Sequence, residues 1–124
     1  MQVQFGAEAG GLQVILTHLS LGRSAQMRQI GFLSTQVPQD RPVALLGDLN
    51  CDAALLRSLD ALRRCGLRLA DAVPSTFPSW RPRRGIDHIL VGGGAHLCSL
   101  QALPQRLSDH LPLAAEIEIP LAWR

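Results

Sequence analysis

The 124-residue chain has no lysine, so all twelve of its basic residues are arginines. Set against ten acidic residues, they leave a net charge of +2. That excess is too small to identify a nucleic-acid binder by itself. Cysteine is scarce and odd in number. Cys51, Cys65 and Cys98 lack paired metal-binding spacing and read as reduced thiols in a cytoplasmic setting. Cys51 lies near polar residues of interest, but nothing around it in sequence would lower a thiol pKa, which argues against a nucleophile. No apolar run approaches the roughly 20 residues of a membrane span. The opening Met-Gln-Val-Gln-Phe lacks the basic-then-apolar layout of a signal peptide. There is no internal repeat and no linker. What is present is 47% apolar sequence in a length suited to one domain, enough for a core and too much for disorder.

Hydrophobic patterning gives the element order. Val3–Phe5 and Leu12–His18 read as a hairpin, joined by a glycine-rich turn from Glu8 to Gly11. Met27, Ile30 and Leu33 recur at helical spacing within Ser24–Leu33. Pro42 to Leu46 is a buried strand. Asp52–Cys65 reads as one helix, capped by Asp52 and ended by Gly66, with Leu55, Leu56, Leu59 and Leu62 in a single stripe. Val73–Arg84 is an irregular loop. Ile86–Val91, His96–Leu103 and Leu113–Ile119 read as strands. Strands alternating with helices and then running consecutively predict an α+β fold, a mixed β-sheet with helices on one face.

Several strand ends carry chemistry. Gly47 stops the apolar strand, and Asp48 and Asn50 follow two apart, so their side chains project the same way. An Asp/Asn turn would look the same. Asp87 opens an apolar strand, where a carboxylate needs a partner. Asp109 and His110 are wedged between apolar residues before the last strand, and His18 ends the Leu12–Thr17 run. A histidine oriented by a buried aspartate suits general-base activation of water. Extra carboxylates suit a hard divalent cation. Together these are the means for hydrolysing a phosphate ester. A zinc site using His18, His88 or His110 with Cys51 fits poorly, because spacings are irregular and carboxylates outnumber soft ligands. His88, next to Asp87 on a strand, should face the other side and be structural. Arg81, Arg83 and Arg84 either meet phosphate or solvate their loop. Phe77 and Trp80 either stack on a ligand or anchor that loop.

Thr17-His18-Leu19, Gly47-Asp48-Leu49-Asn50, Ile86-Asp87-His88-Ile89 and Ser108-Asp109-His110-Leu111-Pro112 resemble, in order, motifs of the endonuclease/exonuclease/phosphatase superfamily. Thr76-Phe77-Pro78-Ser79-Trp80 resembles its substrate-side loop. The resemblance runs from about Leu12 to Ile119 and implies a divalent-metal-dependent phosphoesterase of deoxyribonuclease I-like fold. The implied cofactor is Mg²⁺ or Mn²⁺. The implied catalytic residues are His18, Asp48, Asn50, Asp87 and His110, with Asp109 as metal ligand and Trp80, Arg83 and Arg84 on the substrate side. The substrate would be a nucleic acid, a phosphoinositide or a phospholipid head group. Family members are about twice this long, and these motifs belong to their C-terminal half. The chain is thus expected to be a single domain, residues 1–124, forming half of a four-layer α/β/β/α sandwich. The N-terminal Asn and metal-binding Glu motifs are absent, and Glu8 lacks the context of that ligand. Two outcomes stay open: a catalytic half, or a non-catalytic fragment or interaction module without a complete metal site. An uncovered sheet face would favour self-association or a partner half.

Overall fold

The computed structural model describes residues 1–6 and 11–120. Its main sheet has four strands in the order β1 (Gln2–Phe5), β2 (Leu12–His18), β3 (Val43–Asp48) and β4 (Asp87–Gly92). β1 is antiparallel to β2, β2 parallel to β3, and β3 antiparallel to β4. A parallel neighbour requires a crossover, and helix α1 (Arg23–Gln36) supplies it. Helices α2 (Ala53–Ser58) and α3 (Asp60–Arg64) lie between β3 and β4 in sequence. The fold is mixed α+β, as the patterning predicts. The turn from Glu8 falls largely on residues 7–10, outside the described residues. Among the described residues, no helix is long and apolar enough to cross a membrane.

Register decides which side chains meet the helices. Ile15, Leu45 and Leu90 are opposite one another across β2, β3 and β4, and all three are buried. With Val43 they pack against Ile30 of α1, Leu56 of α2 and Leu62 of α3. His88, two residues before Leu90, faces the same side. It is buried, with its Nε2 2.8 Å from the Cys51 carbonyl, a structural histidine as its position predicts.

The expected helix over Asp52–Cys65 is two helices. Asp52 does cap the first, accepting from the Leu55 amide at 2.9 Å. The break is at Leu59, whose backbone is extended. A continuing helix would give the Leu55 carbonyl to the Leu59 amide. Instead the Ser58 hydroxyl donates to that carbonyl at 2.6 Å, and the Leu59 amide turns to Leu56. A serine bonding back to the preceding turn competes with the helix ladder.

The strands after β4 leave the main sheet. β5 (His96–Ala102) and β6 (Leu113–Glu118) form a separate antiparallel pair. Gly93 and Gly94, both at positive φ, turn the chain sharply after β4. Leu97 and Ile117 then pack with Leu12, Ala44, Leu46 and Val91 on the face opposite the helices. That second face is only partly covered: Leu16 remains 39% exposed.

Gly47 sets how β2 and β3 end together. Its φ is +150°, and a Cβ there would lie 1.7 Å from the Thr17 carbonyl oxygen. Gly47→Ala is expected to cost about 3 kcal/mol, the range of backbone strain combined with a hard clash. A urea denaturation midpoint equal to that of the native sequence would contradict this account.

Candidate active site

The site grows from one row of the sheet. His18 is the register partner of Asp48, and Asp48 is the partner of Asp87. Alternation puts Leu16, Leu46 and Ile89, in the neighbouring row, on the same face as these three. So the ends of β2 and β3 and the start of β4 deliver an imidazole and two carboxylates side by side, on the face away from the helices. The Asp48 Oδ2 lies 3.5 Å from His18 Nε2.

The loop between β5 and β6 adds His110. Its Nδ1 is 2.7 Å from Asp87 Oδ2, and its Nε2 is 3.6 Å from Asp48 Oδ2. A carboxylate can only accept, so Nδ1 carries the proton and Nε2 is the free nitrogen of the neutral ring. Partial burial disfavours the imidazolium. The hydrogen bond to Asp87 and the charges of Asp87, Asp48 and Asp109 outweigh it and raise the His110 pKa above its ordinary 6.5. For the buried His88, desolvation dominates and lowers the pKa below 6.5.

Asn50 stands at the turn after β3 with φ +50°. Its amide N–H bonds Asp48 Oδ1 at 2.9 Å, and its side-chain Nδ2 donates to the Leu19 carbonyl at 2.6 Å. The second Nδ2 hydrogen has no partner among the described residues. Asp109 is exposed, in the same loop as His110. His18, Asp48, Asn50, Asp87, Asp109 and His110 line one cavity of about 540 Å³, together with Arg84. Trp80 and Arg83 are exposed and do not line it.

The segment expected to face substrate mainly holds the site together. Thr76 is fully buried and its hydroxyl donates to Asp87 Oδ2, the same oxygen that meets His110. Phe77 packs on the His110 ring with centroids 4.8 Å apart. Ser79 ties down the neighbouring loop through its amide to Asp109 O at 2.7 Å and its hydroxyl to Ser108 O at 2.6 Å. Gln26 is a residue that sequence reasoning missed. It is buried on α1, and its Nε2 reaches the carbonyls of Ser20, Leu21 and Asn50. The signal was a polar side chain one turn before Ile30 on the inward stripe.

The donors that a divalent cation would meet are close together. Ligand atoms of Asp48, Asp87 and His110 lie within 4.8 Å of one another, the tight acidic cluster among the described residues. Asp87 Oδ2 is already committed to Thr76 and His110. Asp48, Asp87 and Asp109 all line the cavity, Asp48 and Asp109 without the shared bond to His110. Oxygen-rich donors of this kind suit a hard cation that keeps several waters.

The cleft thus gathers two histidines, three carboxylates, an amide and an arginine in one cavity. Residues 16–110 match the model of the Endonuclease/Exonuclease/phosphatase family. The chain belongs to that family. Solved structures share its fold. An endonuclease/exonuclease/phosphatase from Beutenbergia cavernae superposes with TM-score 0.74 at 20% identity, covering 95% of this chain and 38% of that one. The mannosyl-6-phosphatase of Bacteroides thetaiotaomicron gives 0.73 at 21%, covering 90% and 53%. A Leptotrichia buccalis member of the family gives 0.72 at 16%, covering 95% and 52%. The chain therefore spans about half the length, or less, of these structures. No curated protein matches it significantly in sequence.

The two histidines predict opposite pH dependences of stability. His110, with its pKa raised, contributes stability below pH 6.5 that is lost as pH rises through its folded pKa. His88, with its pKa lowered, contributes stability above pH 6.5 that is lost as pH falls towards its folded pKa. NMR titration should place the His110 midpoint above 6.5, and Asp87→Asn should bring it down to or below that value. An unchanged midpoint in the variant would remove Asp87 as the cause.

Proposed function

We propose that the chain is the C-terminal catalytic portion of a divalent-metal-dependent phosphoesterase, half of a four-layer sandwich that a further segment completes. The observation that carries this is the His110–Asp87 contact at 2.7 Å beside Asp48 in a family-matched cleft. His110 Nε2 takes a proton from the attacking water, while Asp87 fixes the tautomer and balances the imidazolium that forms. Asp48 orients that water from the other side. The free Asn50 amide hydrogen and His18 meet the phosphoryl oxygens, where negative charge builds up. Asp109, with Asp48, would hold Mg²⁺ or Mn²⁺, which would supply positive charge to neutralise the phosphoryl oxygens. Arg84 lines the cavity and adds positive charge for an anionic substrate.

The alternative, a binding module with an incomplete metal site, is favoured by one observation. The chain spans about half of most of the matched structures, and no glutamate stands with the carboxylate cluster among the described residues. Hydrolysis of an activated phosphodiester under Mg²⁺ or Mn²⁺ titration separates the two. On the catalytic reading, turnover needs the metal, and His110→Ala lowers it by roughly 10²–10⁴. Metal-independent rates, or a His110→Ala enzyme of native turnover, would refute that reading.

A further inference from the structure

The segments that build the cleft also leave large apolar side chains in water beside it. Leu21, in the loop after β2, and Leu107, just before Ser108, are each 85% exposed. Trp80, next to Ser79, is 63% exposed. These segments converge: Leu21 and Ser108 line the same cavity, and Ser79 is hydrogen bonded to Ser108 and Asp109. Leu21 lines the cavity, and Trp80 and Leu107 each adjoin in sequence a residue that braces or lines it, so burying these exposed apolar tips would be favourable.

Arginines flank each of them, while Asp109, two residues after Leu107, and the cavity-lining Asp48 and Asp87 supply the opposite charge nearby. Arg23 follows Leu21 by two residues, Arg81, Arg83 and Arg84 follow Trp80, and Arg106 precedes Leu107. All five are exposed, and none is in an ion pair among the described residues, unlike Arg41 and Arg63. In the same segments, 19–23, 77–85 and 104–108, there is no acidic residue. Five exposed arginines thus flank the apolar tips, set against Asp109 beside Ser108, in a chain that carries only +2.

We propose that this rim is a docking surface for an anionic phospholipid bilayer, with Leu21, Trp80 and Leu107 entering the headgroup region and the arginines meeting lipid phosphates and carboxylates. Tryptophan prefers the headgroup level, aliphatic tips gain from leaving water, and each arginine gains from the negative surface. A nucleic acid would use the arginines and could stack on Trp80. It offers nothing to two leucines left in water. As to substrate, the inference rests on the phosphoesterase reading: a phosphate ester in a lipid headgroup would then face the cleft directly.

The test is sedimentation with phosphatidylcholine vesicles, with and without phosphatidylserine, in EDTA so that no hydrolysis is involved. Binding should require phosphatidylserine and weaken with salt. Replacing Arg81, Arg83 and Arg84 by Gln should lower partitioning on the order of 10²-fold. Leu21→Asp with Leu107→Asp should lower it by roughly tenfold or more. Both are changes at exposed positions, and circular dichroism checks that the fold is kept. Leu16→Asp, on the partly covered sheet face, should leave partitioning unchanged. Loss of binding in Leu16→Asp with no loss in the rim variants would overturn the proposal. So would rim variants that weaken binding of a single-stranded DNA oligonucleotide while vesicle binding stays as it was. Vesicle binding without metal-dependent hydrolysis would instead overturn the phosphoesterase reading and leave the docking surface standing.

Discussion

The cross-strand register at the ends of β2, β3 and β4 is the constraint on which the site depends. It puts His18, Asp48 and Asp87 in one row. Two carboxylates in adjacent strands repel unless something positive or hydrogen-bonding stands between them. His110 does this, its Nδ1 hydrogen bonded to Asp87 at 2.7 Å and its Nε2 side 3.6 Å from Asp48. The same arrangement raises its proton affinity and fixes which nitrogen stays free. A one-residue slip of β3 would turn Asp48 to the helix side and dissolve the cluster. Gly47 blocks such variation by letting β3 pass against Thr17 where no side chain fits.

Around this row, the fold spends buried polar groups on holding loops rather than on the core. Thr76 shares Asp87 with His110, and Ser79 grips the loop that carries His110. Gln26 binds three carbonyls from the loops after β2 and β3. Each gives up solvation and recovers it in hydrogen bonds of fixed direction. A reacting geometry needs placement to a fraction of an ångström, which loops lack unless they are tied in this way.

Much of this was legible in the chain. Most strand positions, the cap at Asp52 and the inward-facing His88 follow from local rules of period, capping and turn chemistry, but Gly47, read as the stop of the third strand, lies inside it, and β3 runs on to Asp48. The motif pattern also pointed to the family to which residues 16–110 belong. Local rules failed where competition decided. Ser58 outbid the helix at Leu59. For Phe77 the sequence left stacking on a ligand or anchoring open, and it packs on His110, while Ser79 ties the loop that carries His110. Trp80 and Arg83 are exposed and do not line the cavity that Arg84 lines.

The sequence alone determined the inventory: which strands could be buried, and that carboxylates and histidines cluster at their ends. Those outcomes depend on side-chain period and backbone preference over a few residues. Tertiary structure alone decided the partners. That Asp87 serves His110, that Gln26 closes two loops, and that β5 and β6 leave the main sheet are contacts between distant segments. Such contacts follow from register and packing of the whole chain, and no short stretch of sequence encodes them.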